Sequence, residues 1–425
     1  MILSNSLASW VEIPPDCDFT LANLPYGIFS SENRDRRVGV AMGEQILDLW
    51  AVHELGFFAG IDLLETAFAL NLNSFIGHGA PAWQAVRQRL TELMHVDFPE
   101  KDRLAPALVP QASARMHLPL RVGDYTDFYA SEYHATNVGR LFRPEQPLMP
   151  NWKHLPVAYH GRASSVVVSG TDFHRPSGQT VPPGSETPEF GPSKALDFEL
   201  ELAAVVGREN ALGEVVKTNA ANDHLFGFVL LNDWSARDIQ RWEYQPLGPF
   251  LGKNFCTSIS PWVVTLTALE PFRVAGPTQA PPVLPYLQTT APGHFDLNLD
   301  VFLEGNDLPE TRISRSNARF LYWNFAQMLA HHTSGGCPMQ VGDLLGSGTI
   351  SGPTPDSLGC LLEMTGGGKI PLSLGGVERR YLLDGDTVTL CGHAGEGERR
   401  VGFGEVRGTI LPVNLSPLSS FSSSG

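Results

Sequence analysis

A mainly β fold is what this sequence of 425 residues predicts. Three observations carry that expectation. From about residue 119 onward the chain is rich in glycine, proline and short alternating apolar runs. It lacks the rhythm of strands alternating with long amphipathic helices that marks a Rossmann-type fold. The run "ALDFELELAAVVG" (195–207) alternates and then turns continuously apolar, as a strand entering a core does. A sandwich, roll or barrel satisfies all three.

Taken in order, residues 1–118 read as a small domain of their own. "YGIFS", "RVGVAMG" and "QILDLWAV" are short strands with turn signals between them, and helices are expected at "DLLETAFALNL" and "PAWQAVRQRLTELMH". The Pro-rich stretch 103–120 marks a boundary. Beyond it, "HFDLNLDVFLEG", "QVGDLLGSGTISG", "YLLDGDTVTLCG" and "VGFGEVRGTIL" are strands closed by glycines. One long helix is expected over "SNARFLYWNFAQMLAHHTSGG", capped by Ser316 or Asn317 and stopped at Gly335. The tandem His331-His332 then suits the helix C-terminus and is read as structural. Segments 173–194 and 268–294 have little periodicity, and ordered loops of that length serve as lids or dimer contacts. The tail "NLSPLSSFSSSG" has the composition of a disordered segment.

The totals exclude several function classes. A hydrophobic fraction of 42% is enough for a sizeable core. A net charge of −15 argues against nucleic acid, and any anionic substrate would need a local basic site. The five cysteines form no CxxC pair, so free thiols in a reducing, cytoplasmic setting are expected. The opening residues lack the basic region of a signal peptide. No apolar run approaches the ~20 residues of a membrane span.

Polar residues cluster in suspicious places. "GDYTDFYASEYHATNVGRLFR" (123–143) holds Asp127, Tyr129, His134 and Arg143. "NDWSARDIQRWEYQPLG" (232–248), read as a helix from Asp233, aligns Asp233, Arg237, Gln240 and Tyr244 in one stripe, with Ser235 and Asp238 as a capping box. "GPFLGKNFCTSISPW" (248–262) holds Lys253 and Thr257; Thr349 is flanked by glycines, and Glu363 sits among apolar neighbours. Each has a bland reading. Glu199 and Glu201 fit a solvated strand face, His134 a hydrogen-bonded helix residue, Arg237 and Lys253 surface charges. Glu363 is harder to dismiss, because an isolated carboxylate in a core is costly. Should Asp127, Glu199, Glu201 and Asp233 converge, they repel by several kcal/mol unless a cation lies between them. Oxygen donors of that kind suit Ca²⁺ or Mg²⁺.

The blocks "GDYTDFYASEYHATNVG", "NWKHLPVAYHGRASSVVVSGT", "LDFELELAAVVG", "LLNDWSARDIQRWEYQPLGPFLGKNF", "GSGTISGP" and "LLDGDTVTLCG" resemble the signature blocks of the fumarylacetoacetase (fumarylacetoacetate hydrolase) family, nearly end to end. The resemblance implies an SH3-like N-terminal β-barrel (1–118), a C-terminal β-sandwich roll (119–415), a homodimer, and a tail (416–425) outside the family pattern. It implies hydrolysis of a carbon–carbon bond in 4-fumarylacetoacetate, giving fumarate and acetoacetate, the last step of tyrosine and phenylalanine breakdown. Asp127, Glu199, Glu201 and Asp233 would hold Ca²⁺, with Mg²⁺ near Asp233, Lys253 and Thr257. His134 would be the base, oriented by Glu363. Arg237 and Lys253 would hold developing negative charge, and Tyr129, Arg143, Tyr159, Gln240, Tyr244 and Thr349 would contact substrate. Two other readings are an acylpyruvate hydrolase or oxaloacetate decarboxylase of the same fold, and a non-catalytic, metal-stabilised β-protein. Residues 1–118 and the Tyr129–His134 block separate the first from the family's own activity; His134 and Glu363 argue against the second.

Overall fold

The computed structural model describes residues 7–64, 66–182 and 184–414, so the expected tail at 416–425 lies outside the described residues. The fold is mainly β. One large twisted sheet runs, in spatial order, through Leu108–Pro110, Gln45–Asp48, Arg34–Met42, Tyr26–Ser31, Trp262–Thr265, Leu225–Asp233, Leu200–Val206, Leu344–Gly346, Tyr125–Phe128 and Ala158–His160. A second sheet joins Leu308–Asn317, Asn298–Gly305, Thr387–Ala394, Val401–Leu411 and Phe173–His174.

The two central strands explain the architecture. "LFGFVLLND" (225–233) and "LELAAVV" (200–206) are buried on both faces, so they read as near-continuous apolar runs. Their alternation sorts residues between two cores. Leu200, Leu202, Ala204, Phe228 and Leu230 join Leu299, Val301, Leu390 and Val406 of the second sheet. Ala203, Val205, Val229 and Leu231 face the other way, against Tyr26, Phe75 and Leu90 from the N-terminal part. Residues 7–118 are thus sewn to the rest: Tyr26 pairs with Val263 across the sheet, and both sides share one core.

Several local expectations give way to tertiary pairing. The Pro-rich stretch 103–120 supplies two short strands, Leu108–Pro110 and Arg115–His117, which pair into the sheet. "DLLETAFALNL" forms turns rather than a helix, because Phe68 and Ala69 lie along the Arg34–Met42 strand while Ala67, Phe68 and Leu72 fill the core. The helix Ala80–Met94 forms as expected. The long helix expected from Ser316 begins only at Phe325. Residues up to Asn317 are taken by pairing with Asn298–Gly305, and Asn324 supplies the cap in a reciprocal box with Gln327. Asp233 ends a strand and does not open a helix. The helix there is Arg237–Glu243, its N-cap is Ala236, and Ser235 and Asp238 form no capping box. Among the described residues no helix is long and apolar enough to cross a membrane.

Candidate active site and metal centre

The site is built where neighbouring strands end together. Leu344–Gly346 lies between Leu200–Val206 and Tyr125–Phe128, with Gly346 opposite both Ala203 and Asp127. On the other side Glu201 faces Leu231, and Asp233 faces Thr257. Asp127, Glu201 and Asp233 therefore come from three different strands, and Glu199 precedes the second of them. Each of the four acids offers one oxygen, and these oxygens all lie within 4.8 Å of one another. Glu201 and Asp233 are completely buried, and Asp127 and Glu199 nearly so. Space here is made by glycine. A Cβ on Gly346 would stand 2.7 Å from Asp127 Oδ1, and Gly348, with φ near +72°, turns its N–H onto Asp127 Oδ1 and Glu201 Oε2, 3.1 Å from each.

Charge within the cluster is unevenly compensated. Lys253 Nζ contacts Glu199 and lies 2.7 Å from Asp233 Oδ2. Arg237 reaches Glu199 Oε1 at 2.7 Å and Asp197 Oδ2 at 3.0 Å. Burial alone would raise the pKa of Glu199, yet Lys253 and Arg237 pull it well below the ordinary carboxylate range. Asp127 and Glu201 meet neither cation directly. Burial, reinforced by neighbouring carboxylates, pushes both well above their usual values. Among the described residues, Glu201 Oε1 is buried with no hydrogen-bond partner. A carboxylate pair with no cation of its own and a free, buried oxygen fits a hard divalent ion. The Asp233, Lys253 and Thr257 set differs. Thr257 Oγ1 donates to Asp233 Oδ1 at 3.0 Å, and the Lys253 ammonium has no lone pair, so Lys253 could serve an ion only through its backbone carbonyl.

Beside the acids stands a histidine with a carboxylate behind it. His134 lies in the first turn of helix Glu132–Phe142, whose N-cap Ser131 accepts from the His134 N–H. His134 Nδ1 is 2.6 Å from Glu363 Oε2, both side chains being buried. Glu363 also accepts from Asn137 Nδ2 at 2.9 Å, Ser351 Oγ at 2.7 Å and Cys360 Sγ at 3.2 Å. Burial would raise its pKa, but His134, Asn137 and Ser351 hold it below the ordinary value, so it stays ionised. The 2.6 Å between His134 Nδ1 and Glu363 Oε2 is a hydrogen-bond length. A tetrahedral metal would spread its ligands to about 3.3 Å.

The other sequence-predicted residues fall into three groups. Tyr159 hydroxyl donates to Asp233 Oδ2 at 2.6 Å, and the Tyr129 ring meets His134 edge-on with centroids 5.3 Å apart. Thr349 is buried with an unpartnered Oγ1, and Gln240 Oε1 lies 3.4 Å from Arg237 Nη1. Tyr244 and Arg143 are exposed, and Arg143 donates to the Pro147 carbonyl at 3.2 Å. Arg237 Nη2 is buried and has no partner among the described residues. Buried polar atoms without partners are rare. Here Glu201, Arg237, Thr349, Tyr125 and Asn232 each contribute one, all from residues in or adjoining the cluster.

Sequence reasoning passed over Asp197, Asn137 and Ser351. Asp197 stands at strand spacing from Glu199 and Glu201, but the strand breaks after it and its side chain turns to Arg237. Asn137 follows His134 by three positions on a helix, a signal that could have marked it. Nothing local in the sequence points to Ser351.

Residues 22–119 match the family model described as fumarylacetoacetase N-terminal, and residues 125–411 match that described as fumarylacetoacetate (FAA) hydrolase C-terminal. Among curated relatives, the fumarylacetoacetase of Arabidopsis thaliana is 51% identical over 96% of this chain and 99% of its own length. That of Homo sapiens is 50% identical over 96% of this chain and 99% of its own. Among solved structures, a fumarylacetoacetate hydrolase from Exiguobacterium antarcticum shares the fold at TM-score 0.53 and 16% identity, covering 92% of this chain and 99% of that one. With both family models matched in sequence and half of all residues shared with full-length relatives, the chain belongs to the fumarylacetoacetate hydrolase family.

Proposed function

We propose that this chain hydrolyses the carbon–carbon bond of 4-fumarylacetoacetate to give fumarate and acetoacetate, the closing step of tyrosine and phenylalanine catabolism. The observation that carries the reading is the buried His134–Glu363 pair standing against a four-carboxylate pocket, in a chain half identical to enzymes of that name. The acylpyruvate hydrolase, decarboxylase and non-catalytic readings have no comparable support.

Water is a weak nucleophile and a carbanion a poor leaving group, so both ends of the reaction need help. His134 Nε2, the ring nitrogen turned away from Glu363, takes a proton from water as it attacks the ketone beside the fumaryl group. Glu363 accepts from Nδ1–H, fixes the tautomer and stabilises the imidazolium. Cleavage leaves the acetoacetate enolate, and the proton removed from water balances the one that this carbon takes up. The unpaired Arg237 Nη2, with Lys253 and Gln240 nearby, faces the growing negative charge, and such a donor is worth about 3 kcal/mol. Tyr129, Tyr159, Tyr244, Thr349 and Arg143 would grip the rest of the diketo acid. Asp127, Glu199, Glu201 and Asp233 would hold Ca²⁺, with Mg²⁺ at Asp233, Lys253 and Thr257. A bound divalent ion supplies a Lewis acid and a template for the diketone oxygens.

The same reading carries the finer architecture: an SH3-like barrel in residues 1–118, a sandwich roll in 119–415, a cytoplasmic homodimer. Exposed Trp242, Leu247 and Phe250 beside the site support a partner surface. A monomer mass by light scattering at micromolar concentration would refute the dimer. The decisive assay is loss of diketone absorbance on adding fumarylacetoacetate. Chelation should abolish it, and Ca²⁺ or Mg²⁺ should restore it while raising the Tm of the stripped protein. An unchanged Tm and full activity after stripping would remove the metal from the scheme.

A further inference from the structure

Asp197 is fully buried, yet the chemistry above gives it no part. It sits on a two-residue ladder, Leu196–Asp197 against Ser235–Ala236, which brings it beside the start of the Arg237–Glu243 helix. Its two oxygens serve two different elements. Oδ2 accepts from Arg237 Nε at 3.0 Å and from the Leu362 amide at 2.9 Å. Oδ1 accepts from the Leu361 amide at 2.8 Å and from its own neighbour Phe198 at 2.9 Å. Leu361 and Leu362 open the four-residue turn that carries Glu363.

We propose that Asp197 is a positioning residue that braces both halves of the reaction at once, aiming Arg237 at the leaving group and seating the Glu363 turn against His134. This rests on the functional reading above. Arg237 has one face committed to Asp197 and Glu199, which leaves Nη2 as the free donor. Without Asp197 the guanidinium loses one of the two carboxylate contacts that fix its plane, and charge-assisted hydrogen bonds of this kind are the strong, orienting ones. The Glu363 turn loses the acceptor for its first two amides at the same stroke. Errors of about 1 Å at such positions cost about 100-fold in rate. A simple counter-ion for Arg237 would need only one oxygen. Asp197 spends both, on groups that reach opposite ends of the scissile bond.

The test is a set of couplings. In the wild-type background Asp197→Asn should lower kcat about 100-fold with KM nearly unchanged, as expected for losses felt in the transition state. In an Arg237→Gln background only the Glu363 branch remains, so adding Asp197→Asn should cost about tenfold. That double variant removes both buried charges together and is the one best placed to fold. In a Glu363→Gln background the further loss should again be about tenfold. A full 100-fold loss on Arg237→Gln would mean a general structural role, and no further loss would mean a counter-ion only. Either result overturns the proposal, as does an unaltered kcat in the single variant.

A second readout does not depend on turnover. The downfield proton resonance of His134 Nδ1–H, assigned by its absence in Glu363→Gln, should move upfield in Asp197→Asn. An unmoved resonance sinks the brace whatever the substrate. Failure of the wild-type protein to consume fumarylacetoacetate would sink the functional reading alone.

Discussion

His134 and His294 are buried to nearly the same degree, 3% and 7% exposed, and live in opposite chemical worlds. His134 has an ionised carboxylate 2.6 Å from one nitrogen, and that carboxylate is held by three further donors. Among the described residues, His294 has a backbone contact at Leu321, no acid beside it, and a buried Nε2 with no partner. Burial pushes its pKa down to about 4. The lesson is that burial by itself silences an imidazole. What sets His134 apart is the ionised carboxylate placed behind it.

The comparison can be broken most severely at His134. His134→Ala should lower kcat about 10³-fold with an unchanged circular dichroism spectrum, the range expected for loss of a general base. Near-normal rates would remove it from that role. Glu363→Gln keeps the shape but removes the charge, and should cost about 100-fold; activity close to wild type would mean that the acid behind the ring is dispensable.

At His294 the effect is on stability. The unfolded ring titrates near the ordinary 6.5 and the folded ring near 4, so between those values the unfolded state binds more protons. Stability is therefore full above about pH 6.5 and falls as the pH drops toward 4, by about 3 kcal/mol from this ring. His294→Asn should flatten that dependence in urea melts at pH 4 and 7, and leave turnover at pH 7 untouched. Parallel curves for variant and wild type would contradict the assignment. The smallest effect is expected at the outer donors. Ser351→Ala or Asn137→Leu should each lower kcat about fivefold, as one hydrogen bond to a carboxylate is lost among several. A loss as large as that of Glu363→Gln would show that one donor, and not the set, holds the acid.

How far the sequence could lead differs along the chain. The apolar run of 202–206 announced a strand entering a core, because burial on both faces favours a near-continuous apolar composition. The acid pattern at 199 and 201 and the stranded Glu363 were visible because charge in an apolar context is costly wherever it occurs. The helix read from Asp233 failed for a physical reason. A stripe at helical spacing is local, whereas Asp233 is claimed by pairing with Thr257, and ladder hydrogen bonds outweigh a weak propensity. The helix read from Ser316 failed in the same way, since its first residues complete a ladder with Asn298–Gly305.

By itself, then, the sequence determined the strand-rich class, the apolar cores and the residue types of a buried cluster of acids beside an imidazole, because these follow from periodicity and from the cost of burying charge. Only the tertiary structure decided which acids lack a cation, which carboxylate stands behind His134, and that Asp197 leaves its neighbours to join Arg237 with the Glu363 turn. Those facts depend on distances between residues up to 229 positions apart, and local patterning carries no information about such separations.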